Sequence, residues 1–419
     1  MFGSFVLNAT PRGRGRDRTS MAWMRGLSLA ALAALALGAA GPGRAATFKT
    51  LYSFSGGADG DTPYGQLAMG KDGLLYGTTS FAGARGGGTV FRLDPATGVL
   101  TTLYSFTGGA DGFLPVAGVV IDAKGMVYGT TEEGGAFACP DRSGCGTAYK
   151  LDPSTHVLTT LASFPGGASG SQPAGALLLY GGLLYGTTQL GGYSSGPNDL
   201  GSGTLFRLDP KTKALTTLHE FSLPGVADGA QPESSLTVGP DGRLYGSASE
   251  GGPHNAGTVY AIDPVSEAFS LLHGFDYHVD GYGPDCRVMF LKGQIIGTTR
   301  AGGPTQAGDG TVFSLDPNSG ALTTLYAIAG TPDGLFPLGG VVHGPKGLVY
   351  GVAQQGGGSG AGTVFAVSPK TGKFTLKHDF NGADGAEPSG ELLLDGTTIL
   401  YGVTQSGGRG HGTVYEIIP

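Results

Sequence analysis

Two short motifs alternate along this chain, and their regular return constrains the fold more than any other feature. Leu75-Tyr76-Gly77-Thr78-Thr79 is followed, twelve residues after Tyr76, by Gly88-Thr89-Val90-Phe91. The Tyr-Gly motif returns every 51 to 60 residues, at Tyr76, Tyr128, Tyr185, Tyr245, Ile296 (where Ile replaces Tyr), Tyr350 and Tyr401. The Gly-Thr-x-aromatic motif also occurs seven times, beginning at Gly88, Gly146, Gly203, Gly257, Gly310, Gly362 and Gly412. Such a period is typical of a repeat architecture.

Two further apolar segments complete each repeat. One follows a proline (Pro63 in the first copy), and the other resembles Val99 to Phe106. None of the four segments has the 3.6-residue period of a long amphipathic helix. Turns such as Lys71-Asp72-Gly73 and Asp94-Pro95-Ala96-Thr97-Gly98 separate them. Seven four-stranded antiparallel units predict an all-β fold, a seven-bladed β-propeller.

The order of the segments predicts how the ring closes. The chain begins with a segment of the fourth type, at residues 47–54, and ends with one of the third type, at residues 412–418. The N-terminal strand would therefore complete the last blade and cover the edge that this blade would otherwise expose. An open solenoid would leave unfinished sheets at both ends.

The first 45 residues differ from the repeats and predict a secretory leader. A basic start at Met21–Arg25 precedes an Ala/Leu run from Leu27 to Ala40, and small residues follow at Gly43-Arg44-Ala45. Met21 is a possible true start. The run is short for a bilayer span of roughly 20 residues, although an uncleaved membrane anchor is the alternative. We expect residues 46–419 to form the propeller. We expect the protein to be secreted or to lie in the periplasm or cell envelope, without a stable membrane span after cleavage of the leader.

Charge argues against a nucleic-acid partner. The leader carries six Arg and one Asp, which leaves 25 − 6 = 19 basic and 32 − 1 = 31 acidic residues, a net charge of about −12.

Cys139 and Cys145 lie in one loop, and an exported protein could join them in a disulfide. Metal binding by this pair is the alternative, but no His partners lie nearby.

The segment Asp72–Thr79, with Gly87–Phe91 and Leu103–Phe106, resembles the GloVer tandem repeat of exported bacterial proteins whose C-terminal anchors vary. The resemblance covers residues 46–419. It implies a secreted or surface β-propeller and brings no established activity and no catalytic residues. The sequence ends at Pro419 without a hydrophobic tail, so we expect no membrane or covalent anchor.

Candidate ligand residues lie in the loops that vary between repeats. The link Asp276–Asp285 is the most irregular, and Asp276, His278, Asp280 and Tyr282 could bind a metal or a sugar there, although a solvated loop is the alternative. Glu132 and Glu133 form a pair, and Glu250 lies in the equivalent loop of another repeat. Each link also carries an Asp, replaced once by Ser169, and a ring of carboxylates could bind Ca²⁺. Repetition favours instead an Asp that caps its own turn.

The sequence favours an exported, non-enzymatic, monomeric propeller that binds a glycan, a peptide or an envelope component through its variable loops. It has no nucleophile elbow and no phosphate-binding loop. We predict no cofactor, no catalytic residue and no metal site beyond that Ca²⁺ option. The alternatives are an extracellular lyase or hydrolase that acts on a polysaccharide or other polymer, and a structural envelope component. An enzyme would need non-repeated carboxylates around a central pocket.

Overall fold

The computed structural model describes residues 46–139, 143–192, 200–221, 228–305 and 308–419. These residues form seven four-stranded antiparallel sheets that surround a common axis as the blades of a β-propeller. The predicted fold class is therefore confirmed. The predicted leader, residues 1–45, lies outside the described residues.

The strands follow the order of the sequence repeats. The first strand of the chain is β1 (Thr47–Ser53). Blades 1 to 3 comprise β2 (Ala68–Met69), β3 (Leu75–Thr79), β4 (Thr89–Leu93), β5 (Leu100–Ser105); β6 (Val120–Ile121), β7 (Val127–Thr131), β8 (Thr147–Asp152), β9 (Val157–Ser163); and β10 (Leu178–Tyr180), β11 (Leu183–Thr188), β12 (Thr204–Leu208), β13 (Leu215–Glu220).

Blades 4 to 7 repeat this plan. They comprise β14 (Thr237–Val238), β15 (Leu244–Ala248), β16 (Thr258–Ile262), β17 (Phe269–Gly274); β18 (Met289–Leu291), β19 (Gln294–Thr299), β20 (Thr311–Leu315), β21 (Leu322–Ala327); β22 (Val342–His343), β23 (Val349–Ala353), β24 (Thr363–Val367), β25 (Phe374–Asp379); and β26 (Ala386–Leu394), β27 (Leu400–Ser406), β28 (Thr413–Ile418) with β1.

The last blade closes the ring as predicted. β1 is its outer strand and pairs antiparallel with β28, from Thr47 opposite Ile418 to Ser53 opposite Thr413. The N-terminal strand thereby pairs with the backbone groups of β28 that would otherwise form an exposed sheet edge.

The hydrophobic core lies between neighbouring blades. In one cluster Phe91 and Leu93 of blade 1 are buried against Tyr401, Val403 and Val414 of blade 7. Burying one such side chain contributes about 1.5–3 kcal/mol, so the contacts between successive blades stabilise the whole ring.

The links between blades and the loops that follow the second strands emerge on the same face, which we call the link face. Link residue Phe113 pairs through its backbone with Glu133, which follows β7, and Ala230 pairs in the same way with Glu250, which follows β15. Among the described residues, two short 3-10 helices occur, at Gly167–Ser169 in a link and at Pro345–Gly347. No helix within the described ranges is long and apolar enough to cross a membrane.

Candidate functional site

A cavity of about 400 Å³ lies where the inner parts of all seven blades meet. In each blade the three residues after the repeat proline form an inner segment, and these segments make most of the wall. The wall lies toward the link face, because the inner segments begin directly after the links and Glu132, Gln189 and Arg300 join the wall directly after the second strands.

Hydrogen bonds between blades fix the position of the inner segments. A hydroxyl on the second strand of one blade donates to a carbonyl in the inner segment of the next, as in Thr78 to Ala117 (2.8 Å), Thr187 to Ser234 (3.1 Å), Ser247 to Cys286 (2.9 Å) and Thr298 to Gly339 (3.0 Å). Because the backbone of residues 234 and 286 is held in this way, the preceding side chains, Glu233 and Asp285, lie on the wall of a rigid cavity.

A polar cluster from three blades occupies one side of this wall. Gln189 Nε2 donates a hydrogen bond to Glu233 Oε1, and Arg300 Nη1 lies 3.0 Å from Asp285 Oδ2. The Asp285 side chain is 9% exposed. Its other oxygen, Oδ1, is buried and has no hydrogen-bond partner among the described residues. This oxygen is therefore a buried acceptor whose hydrogen bond to water is lost without replacement, which carries a free-energy cost.

Burial dominates the protonation of these carboxyl groups. It raises the pKa of Asp285 to about 7; Arg300 opposes this shift, whereas the nearby charges of Glu233 and Glu250 add to it. Burial also raises the pKa of Glu233, and the contacts with Gln189 and Arg300 act in the opposite direction. Desolvation thus disfavours several negative charges in this space at once.

Aromatic side chains lie beside the charged groups. The Tyr282 hydroxyl donates to Glu250 Oε1 over 3.4 Å, and the Arg300 guanidinium carbon lies 5.5 Å from the centre of the Tyr282 ring. Tyr64 lines the cavity from blade 1, and 37% of this residue is exposed. The site therefore offers flat apolar surfaces next to its carboxylates, amide and guanidinium.

An ion pair crosses the cavity wall from blade 5 to blade 7. Arg287 Nε and Nη2 each lie 2.6 Å from an oxygen of Glu391, whose side chain is only 4% exposed. The Glu391 carboxylate raises the pKa of Arg287, so the arginine stays charged. Blade 6 contributes Gly339 and Gly340 between them, and a Cβ on Gly340 would lie 2.5 Å from the Arg287 carbonyl oxygen. Glycine is thus required where the neighbouring segments approach.

The structure separates the residues that the sequence grouped in the link Asp276–Asp285. Asp276 and Asp280 face their own turn, because Asp280 accepts a 2.7 Å hydrogen bond from the Asp276 backbone and lies 2.7 Å from His273. His278 is exposed and its ring contacts Tyr277. None of these three candidates lines the cavity.

The other candidates lie closer to the cavity. Glu132 forms part of its wall, and Tyr282 and Glu250 lie beside it through their contacts with Arg300 and with each other. Glu133 is mostly buried and accepts a 3.3 Å hydrogen bond from the Ser143 backbone, so it holds its own loop.

Sequence reasoning missed Tyr64, Gln189, Glu233 and Arg300 as site residues, and it named Asp285 only as the end of the irregular link. Two positions of the repeat contain all five: the residue after the proline and the residue after the second strand. Both positions vary strongly between blades. The residues after the proline are Tyr64, Val116, Ala174, Glu233, Asp285, Leu338 and Ser389. Comparing the repeats position by position would have shown this variation.

The repeated link aspartates have a structural role in the described residues. Each bonds to a Tyr or His on the preceding outer strand: Tyr52–Asp59 (3.0 Å), Tyr104–Asp111 (3.0 Å), His219–Asp228 (3.2 Å), His273–Asp280 (2.7 Å), Tyr326–Asp333 (2.5 Å) and His378–Asp384 (3.0 Å). Several also accept a hydrogen bond from the backbone of their own turn, such as Ser55 N to Asp59. The arrangement is that of turn caps rather than of a shared ligand site.

The link that follows β9 lacks both members of this pair, and a disulfide in the loop between β7 and β8 lies beside it. Ala162 and Ser169 replace the aromatic residue and the aspartate. The sulfur atoms of Cys139 and Cys145 lie 2.00 Å apart, and a Cβ on Gly166 in this link would lie 3.5 Å from Cys139 Sγ. Cys139 and Ala162 both pack against the same buried cluster. The disulfide therefore anchors the link that has no Tyr/His–Asp contact.

The fold and the cavity define the class of protein: a seven-bladed β-propeller with a charged cavity on its link face. Within the described ranges, no group of three or more His, Cys, Asp and Glu residues is arranged to hold a metal ion. The chain belongs to the Gloeobacter/Verrucomicrobia repeat family, whose model matches residues 42–198, 139–309 and 194–415. This match confirms the resemblance inferred from the motifs.

Solved structures share the fold at low sequence identity. An oligogalacturonate lyase from Vibrio parahaemolyticus is 10% identical with a TM-score of 0.55, over 89% of this chain and 97% of that one. An oligogalacturonate lyase in complex with manganese is 14% identical with a TM-score of 0.52, over 86% of this chain and 90% of that one. The comparison with curated proteins found no match. At these identities the similarity supports the propeller fold alone.

Proposed function

We propose that this protein is an exported, non-enzymatic β-propeller that binds the end of a saccharide in the cavity on its link face. One observation carries the proposal: the polar side chains of the cavity differ from blade to blade, although the scaffold around them repeats. Only blades 4 and 5 have a carboxylate after the repeat proline, at Glu233 and Asp285, and only blade 5 has a cation after its second strand, at Arg300. An asymmetric set of groups in a symmetric scaffold suits an asymmetric ligand.

The chemistry of the wall suits a sugar. Carboxylates and the amide of Gln189 accept or donate hydrogen bonds to hydroxyl groups, and the rings of Tyr64 and Tyr282 offer apolar faces. The volume of about 400 Å³ lies within the range of small-ligand pockets. A site of this size accommodates the end of a polymer rather than a long stretch of it.

Export is proposed from the sequence and from the family. The predicted leader at residues 1–45 and the resemblance to exported repeat proteins both favour a secreted or periplasmic protein. The Cys139–Cys145 pair is consistent with an oxidising compartment.

Glycan-array binding by the purified exported protein tests this function. We expect a restricted set of saccharides to bind, and Glu233→Gln to weaken binding by about tenfold or more, since it removes a charged acceptor from the wall. Glu267→Gln is the matched control, because Glu267 is 44% exposed in an Asp-Pro turn away from the link face. If no saccharide binds across a broad array, the proposed function is wrong.

A second candidate is an extracellular lyase or hydrolase. It is favoured by Asp285, a buried carboxyl group whose pKa of about 7 suits proton transfer at neutral pH. The structural neighbours named as oligogalacturonate lyases do not supply the substrate, because their similarity extends only to the fold. Galacturonate is an anion, and Asp285 and Glu233 would repel it here.

Product formation separates the enzyme from the binding protein. Polysaccharides that bind should be incubated with the protein, and reducing ends and unsaturated products measured. Turnover that Asp285→Asn abolishes would establish the enzyme. Binding without turnover supports the non-enzymatic function.

A further inference from the structure

The wall of the cavity has an apolar side and a polar side. The residue after the repeat proline is Tyr64, Val116 or Ala174 in blades 1 to 3, whereas it is Glu233 or Asp285 in blades 4 and 5. In a ring of seven blades, blade 1 lies across the axis from blades 4 and 5. A ligand in the cavity therefore has an aromatic side chain on one side and charged side chains on the other.

Tyr64 is the aromatic residue of this apolar side. Blade 7 holds its backbone, because Ser389 Oγ donates a 3.0 Å hydrogen bond to the Tyr64 carbonyl oxygen. Burial raises the pKa of the Tyr64 phenol, and the charges of Glu233 and Asp285 add to this shift, whereas Arg300 opposes it. The side chain therefore extends from blade 1 toward the polar side. Since more than a third of the residue is exposed, it offers an aromatic surface on which a ligand can pack.

The polar side offers hydrogen-bond donors as well as acceptors. The Arg300 and Arg287 side chains are 36% and 35% exposed, whereas the carboxylates paired with them, Asp285 and Glu391, are 9% and 4% exposed. A ligand therefore meets the guanidinium groups of these pairs rather than their carboxylates. Glu233 is half-buried and lies near the charge of Arg300, so it supplies acceptor oxygens beside those N–H donors.

We infer that the cavity binds the uncharged end of a hexose polymer, with the apolar face of the terminal sugar on the Tyr64 ring and its hydroxyl groups bonded to Glu233 and Arg300. This inference rests on the proposed function and specifies it, because it names a neutral hexose as the class of sugar. A hydroxyl has one donor and two acceptor lone pairs. It can therefore donate to the carboxylate and accept from the guanidinium at the same time.

Charged sugars fit this wall less well. A uronate carboxylate would be repelled by Glu233, and Glu250 adds a further negative charge nearby. The ammonium of an amino sugar would meet the exposed guanidinium groups of Arg300 and Arg287. Each of these ionic groups would also have to give up its hydration on entering the cavity, which costs far more than desolvating a hydroxyl.

Calorimetry with a panel of tetrasaccharides tests the class of sugar. The neutral probes are β-linked tetramers of glucose, mannose and galactose, and the charged probes are tetramers of glucosamine and of galacturonate. We expect at least one neutral tetramer to bind about tenfold or more tightly than both charged tetramers.

Substitutions at Tyr64 test the aromatic surface. Tyr64→Ala should weaken binding of the neutral tetramer by about tenfold or more, whereas Tyr64→Phe keeps the ring and should stay within about threefold of the wild type. Tyr180→Ala is the matched control, because Tyr180 is 37% exposed, as Tyr64 is, but lies at the end of β10 outside the cavity wall. It should bind as the wild type does. Circular dichroism melting checks that each variant is folded.

A tryptophan at this position would report the contact directly. The one tryptophan of the sequence is Trp23 in the predicted leader, so Tyr64→Trp gives the exported protein a single indole, in the cavity. We expect its fluorescence emission to shift when the neutral tetramer binds. An emission spectrum unchanged at saturation would show that the sugar does not contact residue 64, and the inference would be wrong.

The remaining outcomes separate this inference from the proposed function. A charged tetramer that binds as tightly as the best neutral one overturns the inference and leaves the saccharide function intact. Failure of all three neutral tetramers, while other saccharides bind on the array, has the same meaning. Wild-type affinity of Tyr64→Ala also overturns the inference alone. Failure of every saccharide overturns the proposed function as well.

Discussion

The ring of Tyr260 lies over the α-carbon of Gly246, its partner in the register between β15 and β16. A Cβ on Gly246 would lie 2.5 Å from the Tyr260 hydroxyl oxygen. The other blades pair the same positions: Gly77–Phe91, Gly129–Tyr149, Gly186–Phe206, Gly297–Phe313, Gly351–Phe365 and Gly402–Tyr415. The glycine of the Tyr-Gly motif therefore makes room for the aromatic residue of the Gly-Thr-x-aromatic motif, which explains why the two motifs recur together.

This pairing leaves a buried hydroxyl that the fold does not use. The Tyr260 hydroxyl is buried without a hydrogen-bond partner among the described residues, and four other blades have Phe at this position. We expect Tyr260→Phe to raise the free energy of unfolding by about 1 kcal/mol, because it removes an unsatisfied polar group. Urea unfolding measures the change.

The matched control removes a hydroxyl that is bonded. The Tyr245 hydroxyl donates to Asp241 and accepts from Arg243, each over 2.8 Å. We expect Tyr245→Phe to lower the free energy of unfolding by about 1 kcal/mol. Equal effects of the two substitutions would contradict this account of the unused hydroxyl.

The blades could be predicted from the sequence because their determinants are local and repeated. Each motif occupies one strand. The sequence of β1 matches the fourth segment of the repeat and precedes the first complete repeat, which predicts that β1 joins the last blade. Because the pattern occurs seven times, each strand is predicted from seven copies rather than from one.

The cavity could not be predicted in the same way, because its residues meet only through the closure of the ring. Glu233, Asp285 and Arg300 come from blades 4 and 5, and each directly follows a proline or a strand whose pattern gives no hint of an axial position. The irregular link at Asp276 was the stronger sequence signal, yet there the Asp280 carboxylate accepts a hydrogen bond from the Asp276 backbone within its own turn. The irregular link at Asp276 forms a locally capped turn, whereas the residues that line the cavity lie at repeat positions whose residue type varies between blades.

The ion pair between Arg287 and Glu391 predicts that a single substitution lowers the free energy of unfolding much more than a double substitution does. Arg287→Met would leave a carboxylate that is 4% exposed without its partner, and we expect a loss of about 3–5 kcal/mol in the free energy of unfolding. Arg287→Met combined with Glu391→Gln removes both charges and should recover most of this loss. Thermal and urea unfolding of the wild type, the two single variants and the double variant measure the coupling. A double variant no more stable than the single one would show that the arginine acts through packing rather than charge.

The disulfide predicts a redox effect on stability that is specific to the link that follows β9. Closing a loop with a sequence separation of 6 contributes about 2 kcal/mol in the chain-entropy account. Since Ala162 and Ser169 provide no Tyr/His–Asp contact there, we expect reductant to lower the free energy of unfolding by about this amount. The Cys139→Ser/Cys145→Ser variant should start lower and not respond to reductant. A wild-type protein insensitive to reductant would contradict this role for the disulfide.

Asp285 predicts how stability depends on pH, and the sign follows from its raised pKa. In the folded protein the pKa is about 7, against an ordinary value of 3.8, so between these pH values the unfolded chain has lost a proton that the folded protein retains. Stability should therefore fall as pH rises from about 4 to 7, by an amount on the order of a few kcal/mol. Asp285→Asn removes this loss and should be the more stable protein at pH 8, with little difference at pH 4.

Asp94→Asn is the control of opposite sign, because turn hydrogen bonds with Thr97 and Ala96 lower the pKa of Asp94, so its removal should decrease stability at neutral pH. Urea unfolding across this range decides the matter: if wild type and Asp285→Asn lose stability in parallel, Asp285 ionises in the folded cavity as freely as in water.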